Sequence, residues 1–490
     1  MRCLLLLALA IHAGFAQPLQ ERIEALLAGS PAAQRSFWGI QAIALDGDAV
    51  LADHQANRFF VPASNTKLFT TALALVRLGS DHRFETVVVA DRAPGLDGRL
   101  RGDLRLVGGG DPTLSNRAIP YTKGPRTGDP LQAIEALAEQ VAAAGVRRID
   151  GDVVGDDTHY VWAPYPEGWA LDDALWEYGA PVSALTVNDN AIQLRLRAGK
   201  AGAPVALTLS PPVDYYLIDN RVRAEAGERR IRIERLPGSR QLRLWGNLPP
   251  GQSSDLLIAI DDPALYAARA LADALRRRGV TIVGEAVARH RFANDVADLR
   301  TGDGGGPAGG VELARRASPP LIELLRVIDK VSQNLHAELA LREVARVRRK
   351  IGSREAGLEE MHAFLTEAGI ERGDYRFEDA SGLSRLNLVT PAAVVKLLRY
   401  MYWSEHRDVW ASLLPVGGED GTLSGRFGGA PAGRRIRAKT GTLSHVSALS
   451  GYAESPSRGV LVFSVMSNNY NAPSSEIRAI IDRIGVLLAE

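Results

Sequence analysis

Ser64-Asn65-Thr66-Lys67 and Ser332-Gln333-Asn334 stand 268 residues apart, and Lys439-Thr440-Gly441 follows near the end of the chain. If these three short polar motifs serve one site, the segments on either side of a long middle stretch must fold as one body. Helix-to-helix connections in compact domains take only a few residues, so an insertion of roughly 200 residues lies between the first two motifs. The expected organisation is a discontinuous body of residues 17–80 and 311–490. It is interrupted by an inserted region, 81–190 and 250–310, with a small β unit at 191–249 nested inside.

The first motif opens an almost continuously apolar run, Ser64 to Leu78, that stops at Gly79. That is the pattern of a buried helix with a glycine terminator. The i, i+3 spacing sets the Lys67 amine on the face of the Ser64 hydroxyl, and the helix N-terminus adds a positive field with free N–H groups. A serine needs a base to become a nucleophile, and a lysine desolvated beside another cation loses its proton readily enough to be that base. Alone the motif is weak, because about two chance matches are expected at this length and average composition. A capping serine with a surface lysine fits it equally well. Lysine usage adds weight: only Lys67, Lys123, Lys200, Lys330, Lys350, Lys396 and Lys439 occur, against 51 arginines. Two of the seven fall in motifs that require lysine, since arginine keeps its proton and cannot serve as a base.

Several function classes are excluded at this level. Fifty-eight basic against 57 acidic residues leave a net charge of +1, without the clustered basic excess of a nucleic-acid binder. The single cysteine, Cys3, rules out a disulfide framework, thiol catalysis in the mature chain and cysteine-ligated metal. Nine histidines include no H-E-x-x-H and no close pair, so neither a metal nor a cofactor is expected. His336 and His445, near the motifs, read as packing or hydrogen-bonding residues. Gly304, Gly306 and Gly309 fit G-x-G-x-x-G, but no strand precedes them and no acidic partner follows, so 302–310 reads as a connection.

Met1-Arg2, the apolar run Cys3 to Ile11 and the small-residue end Gly14-Phe15-Ala16 read as a signal peptide over residues 1–16, with Gln17 as the mature N-terminus. The implied compartment is the periplasm. No later stretch approaches the roughly 20 apolar residues of a transmembrane helix; peripheral association stays open, and the sequence does not define an oligomeric state.

Periodicity gives a β-hairpin over 36–52 around Asp46-Gly47, amphipathic surface helices over 131–145 and 263–278, and alternating strands from Ile192 to Leu248. Leu321 to Arg349 reads as helical, which puts Ser332 inside a helix. Val460 to Val465 is a buried strand and Ser474 to Leu488 a closing helix. Ser467-Asn468-Asn469 repeats S-x-N but follows Lys439, out of order, and reads as a decoy.

The ordered trio S-x-x-K, S-x-N, K-T-G is the signature of penicillin-recognising serine enzymes. With the long insertion, the chain resembles the D-alanyl-D-alanine carboxypeptidase/endopeptidase family, the class C low-molecular-mass penicillin-binding proteins of the penicillin-binding protein 4 type. Matching segments include Gly109-Gly110-Asp111-Pro112, the run Gly151 to Thr158, Tyr178 to Asn188, Ser318-Pro319-Pro320-Leu321, Asp379 to Arg385 and Lys439-Thr440-Gly441-Thr442. Ala380 stands where a glycine is expected.

The resemblance implies an α/β (α+β) fold: an antiparallel sheet flanked by helices, with a helical subdomain and the insertion. It implies that Ser64 attacks the carbonyl between two D-alanines while Lys67 takes its proton. The backbone N–H groups of Ser64 and Thr442 would form the oxyanion hole. Ser332 and Lys439 would pass a proton to the leaving amine, and Asn334 would hold the substrate amide and Lys67. Lys439, Thr440, Gly441 and Thr442 would receive the terminal carboxylate. It also points to Asp157 and Arg385 as contacts for a diaminopimelate side chain, with Tyr160 and Trp162 either lining a substrate wall or packing in the core. The implied partners are peptidoglycan peptides ending in D-Ala-D-Ala and, as covalent inhibitors, β-lactams. A serine β-lactamase shares the trio but does not need the insertion, and it needs a dedicated deacylation base that the sequence does not identify. An idle wall-binding scaffold does not need Ser64, Lys67, Ser332 and Lys439 intact.

Overall fold

The computed structural model describes residues 17–236, 238–302 and 309–490. The leader at 1–16 and most of the glycine-rich connection, Gly304 and Gly306 included, lie outside the described residues.

A five-stranded antiparallel sheet joins the two ends of the chain. Its order is Ile436–Leu443, Val446–Ser455, Gly459–Asn468, Phe37–Ala44 and Val50–His54. The last two strands form the hairpin expected around Asp46-Gly47. Trp38 pairs with Ser467 and Ile40 with Val465, so N-terminal and C-terminal segments share one backbone ladder. Alternation along these strands sends side chains to opposite faces. Ile40 and Phe463 pack with Ile23 and Leu27 of the Leu19–Ala28 helix and Ile481 and Ile484 of the closing helix Ser474–Ala489. Val462 and Met466, on the other face, pack with Leu68, Phe69 and Leu73 of the Thr66–Leu78 helix and with Leu397 of the Pro391–Trp403 helix. The first motif's helix is therefore enclosed on its sheet side and its flanks, as its all-round apolar sequence requires.

The middle of the chain builds a second five-stranded sheet in the order Ala286–Arg291, Val153–Val161, Leu104–Val107, Glu85–Ala90, Val311–Ala317. Among the described residues, three three-stranded sheets accompany it, one of them the short strands Thr281–Ile282, Arg148–Ile149 and Arg99–Leu100. The other two have longer strands. One holds Ser253–Ala259, Ala191–Arg197 and Ala206–Ser210; the other holds Leu217–Arg223, Gln241–Asn247 and Arg230–Glu234. Helices Gln132–Ala143 and Pro263–Arg277 pack with the second sheet. The second of these departs from the surface helix expected over 263–278. Ala264, Ala267, Ala268, Ala270, Leu271, Ala272, Ala274 and Leu275 are all buried, because its alanines let neighbouring elements approach on several sides.

The stretch from Leu321 to Arg349 also differs from expectation. It is two helices, Leu321–Lys330 and Asn334–Arg349, with Ser332 between them in a left-handed conformation, φ 63°. Lys330 closes the first helix by donating to the Leu414 carbonyl at 2.7 Å and pairing with Asp420. Gln333 caps the second through its side-chain oxygen and the Leu335 N–H, 2.8 Å. Among the described residues, no helix is long and apolar enough to cross a membrane.

Candidate active site

The three motifs meet where the Thr66–Leu78 helix begins, beside the edge strand Ile436–Leu443. Ser64 sits in a single 3-10 turn, Ala63–Asn65, immediately before that helix. Gly441 explains itself here: a Cβ at this position would come within 2.6 Å of the Pro62 carbonyl oxygen, so only glycine lets the strand pass the serine turn. Gly382, at φ +80°, plays the same part on the opposite side, where a Cβ would meet the Ala63 carbonyl oxygen at 1.8 Å.

Lys67 is fully buried, and its Nζ donates to three oxygens: Ser64 Oγ at 2.9 Å, Asn334 Oδ1 at 2.6 Å and the Ser381 carbonyl at 2.6 Å. Two of these, a side-chain amide oxygen and a peptide carbonyl, only accept. A neutral amine has two N–H groups and one lone pair, so once both acceptors are served the lone pair faces Ser64. Burial, then the charge of Lys439, holds the Lys67 amine well below the ordinary lysine range. The geometry thus sets an amine with a lowered proton affinity against a hydroxyl.

Lys439, also fully buried, donates to Ser332 Oγ at 2.8 Å and to the Thr440 carbonyl at 2.9 Å. Burial lowers it, and the buried carboxylate of Asp329 works the other way. Burial pushes the Asp329 carboxyl up in turn, while Lys439 and Lys67 pull it down. The left-handed turn at Ser332 delivers its hydroxyl to Lys439, a result that a continuous helix would not give. Thr440 donates to Thr422 at 2.8 Å, and Thr442 is exposed on the same strand beyond Gly441.

Several contributors carried no motif. Glu338, one helical turn after Asn334, accepts from the Ala380 and Ser381 N–H groups at 2.9 and 3.0 Å and so fixes the carbonyl that holds Lys67. Asp379 gathers the same loop by accepting from the Gly382 and Ser384 N–H groups, both at 2.8 Å. The insertion enters directly: Trp169 Nε1 donates to Asp379 at 2.9 Å, and Asn334 Nδ2 donates to the Tyr178 carbonyl at 2.8 Å. The segments holding Asp379 and Tyr178 were the sequence signal available for them.

A model of the D-Ala-D-Ala carboxypeptidase 3 (S13) family matches residues 19–490. The chain belongs to that family. It is 34% identical over 489 residues to the D-alanyl-D-alanine carboxypeptidase of Actinomadura sp. (strain R39), covering 96% of this chain and 84% of that one. It is 26% identical to the D-alanyl-D-alanine carboxypeptidase DacB of Haemophilus influenzae, covering 89% and 86%. The crystal structure of penicillin binding protein 4 from Haemophilus influenzae superposes with a TM-score of 0.80 at 25% identity, over 95% of this chain and 97% of that one. The fold is thus the mixed α/β fold of penicillin-recognising serine hydrolases, and the S13 chain is a hydrolase of the D-Ala-D-Ala carboxypeptidase class.

Within this S13 site, Asp157 and Arg385 are not brought together. Asp157 is buried and accepts from Ser183 Oγ at 2.8 Å and from His290 Nδ1 at 2.9 Å. Arg385 is exposed and donates to the Ser444 carbonyl at 3.2 Å; its charge acts weakly on Asp173. Asp173 holds the Tyr178 hydroxyl, which burial and that carboxylate push up to about 12. Tyr160 is a core residue whose hydroxyl donates to Glu343 at 3.0 Å, and Trp162 stacks on His290 at 4.0 Å. His336 bonds Asp189 and His445 bonds the Tyr470 carbonyl, at 2.9 and 2.8 Å. In the out-of-order S-x-N, Asn468 Oδ1 receives the Val61 N–H at 2.8 Å, a brace beneath the serine turn.

Proposed function

We propose that this protein is a serine DD-peptidase of peptidoglycan. It removes the terminal D-Ala from stem peptides, cleaves D-Ala-to-diaminopimelate cross-bridges, and is acylated by penicillins. The observation that carries the reading is the Ser64–Lys67 pair: a buried amine, depressed by desolvation and a second cation, with its acceptors arranged so that its lone pair meets the hydroxyl 2.9 Å away.

In the proposed reaction Lys67 takes the Ser64 proton as Oγ attacks the carbonyl of the penultimate D-Ala. Backbone N–H groups of Ser64 and Thr442 stabilise the oxyanion, donors already in place as charge develops. The C–N bond breaks as the leaving nitrogen receives a proton through Ser332, whose hydroxyl Lys439 replenishes. Lys439, Thr440 and Thr442, with Gly441 between them, hold the carboxylate of the leaving residue. Water then releases the acyl group from Ser64. The donor-side diaminopimelate ends in one amine and one carboxylate, and Arg385 with Asp173 supplies the complementary charges. Asp173 replaces Asp157 in this assignment because it is the one of the two carboxyls on which the Arg385 charge acts. The proposed place of action is the periplasm, reached through the leader at 1–16.

Incubation with a labelled penicillin, followed by peptide mapping, tests the reading. The label should sit on Ser64 and vanish in Ser64→Ala. Label retained by that variant overturns it.

A further inference from the structure

Beside Ser332 opens a cleft of about 690 Å³ that neither Ser64, Lys67 nor the Lys439–Thr442 strand lines. Val331 to Asn334 line it on the motif side, and the insertion supplies the rest, from residues 116–130 and from the turn and strand 188–195. The 116–130 segment reaches the leaving side of the site. Lys123 donates to the Glu419 carbonyl at 3.2 Å, and the chain that follows Glu419 carries Asp420, paired with Lys330, and Thr422, bonded to Thr440.

The opposite wall is strained. Asn188, Asp189 and Asn190 are all left-handed, with φ of 50°, 57° and 53°. Three successive non-glycine residues in that region are costly and persist only where the surroundings enforce them. The turn presents the buried Asp189 carboxylate to Arg117 at 2.8 Å, to Arg126 and to His336 at 2.9 Å. Two guanidiniums thus share one carboxylate, and the Arg126 side chain keeps 34% of its surface exposed. Glu177 also lines the cleft, where burial raises its carboxyl, and Arg195 lines it while paired with Asp255. The lining therefore sets a part-exposed guanidinium, Arg126, held by Asp189 and Asn188 and acting by its charge on Glu177, next to the hydroxyl that protonates the leaving amine.

What that amine is attached to decides what fills the cleft. A carboxypeptidase substrate releases one D-Ala, which the Lys439–Thr442 strand already holds. A cross-bridge releases a whole second stem peptide, bearing free carboxylates. We propose that this cleft is the leaving-strand subsite for cross-linked substrate, with Arg126, steadied by Asp189 and Arg117, holding a carboxylate of the second peptide. The inference rests on the DD-peptidase reading and adds the substrate half that reading leaves unplaced.

The test compares kcat/KM of the full chain for a cross-linked muropeptide dimer and for a monomeric pentapeptide. Arg126→Ala should lower the dimer-to-monomer ratio about tenfold, the usual scale for one charge-assisted contact at a partly exposed site, and Arg126→Lys should recover part of it. Arg221→Ala, on an exposed strand far from the motifs in sequence, serves as the control and should leave the ratio unmoved. An unchanged ratio in Arg126→Ala, or equal losses on both substrates, overturns the subsite. Should Arg126→Ala misfold, Arg195→Gln repeats the test at an exposed position, with a fall of about threefold expected from a solvent-screened charge. If the wild type leaves dimers intact, the endopeptidase reading fails by itself, and the subsite is then judged by binding. A diaminopimelate-containing stem peptide titrated into Ser64→Ala should bind, and bind about tenfold more weakly once Arg126→Ala is added. Absence of binding overturns the subsite.

Discussion

Among the buried charge clusters of the described residues, the one around Lys67 and Lys439 and the one around Asp157 and His290 are finished differently. In the first, the buried carboxylates of Asp379, Glu338 and Asp329 act on the amines through space, while the hydrogen bonds of both amines run to neutral oxygens. In the second, Asp157 meets a hydroxyl and an imidazole, and the other nitrogen of that imidazole lies 3.6 Å from Asp262. Burial disfavours a charged His290, yet the two carboxylates outweigh it and raise the ring to about 9. The difference separates chemistry from architecture. A buried amine hydrogen-bonded only to neutral oxygens can give up its proton, whereas a ring in direct contact with carboxylates is held charged and locks two elements together.

The comparison breaks if Lys67 matters only as a positive charge. Lys67→Arg keeps the charge and loses the base, so acylation by penicillin should fall by about 10²–10⁴, the usual worth of a general base. Retention of more than about a tenth of the wild-type rate would reduce Lys67 to an electrostatic group.

The same cluster predicts the pH profile of acylation. Lys67 must be neutral to act, so the rate rises with pH through its depressed value. Lys439 must be charged to hold a carboxylate, so the rate falls again as that amine deprotonates. Both limbs should lie below the ordinary lysine range, because burial lowers both amines. A profile still rising above that range contradicts the assignment.

Arg385 and Asp173 sharpen the contrast at the rim. Arg385→Ala and Asp173→Asn should each cost about three- to tenfold in kcat/KM for diaminopimelate peptides relative to penicillin acylation, the scale of a charge-assisted contact at a solvent-exposed position. Equal losses in both reactions would make the pair structural.

The smallest catalytic effect belongs to Asp157→Asn. It should cost about 1–3 kcal/mol of stability through a weakened buried network while the relative rate on diaminopimelate peptides holds. Because His290 is raised in the folded state, its contribution is fully present below the unfolded histidine value and is lost as pH rises through about 9. Thermal melts should show that decline in the wild type and a weaker one in the variant.

Sequence alone determined the features set by short-range rules. The Thr66–Leu78 helix and its stop at Gly79 follow from an unbroken apolar run, and the Ser64–Lys67 contact follows from i, i+3 spacing. The hairpin, the closing helix and the meeting of distant chain segments around the ordered motifs were equally legible. Tertiary structure decided where the chain leaves its local preference and which charges become neighbours. The helical pattern runs through Val331, yet Lys330's hold on Leu414 and Asp420 ends the helix and frees Ser332 to reach Lys439. Asp157 and Asp173 are both acids of the middle of the chain, and only the fold, with Trp169 docked on Asp379 and the Tyr178 carbonyl on Asn334, decides that the Arg385 charge acts on Asp173 and not on Asp157. An electrostatic pair is defined by distance through space, and spacing along the chain fixes that distance only within a turn or two of helix.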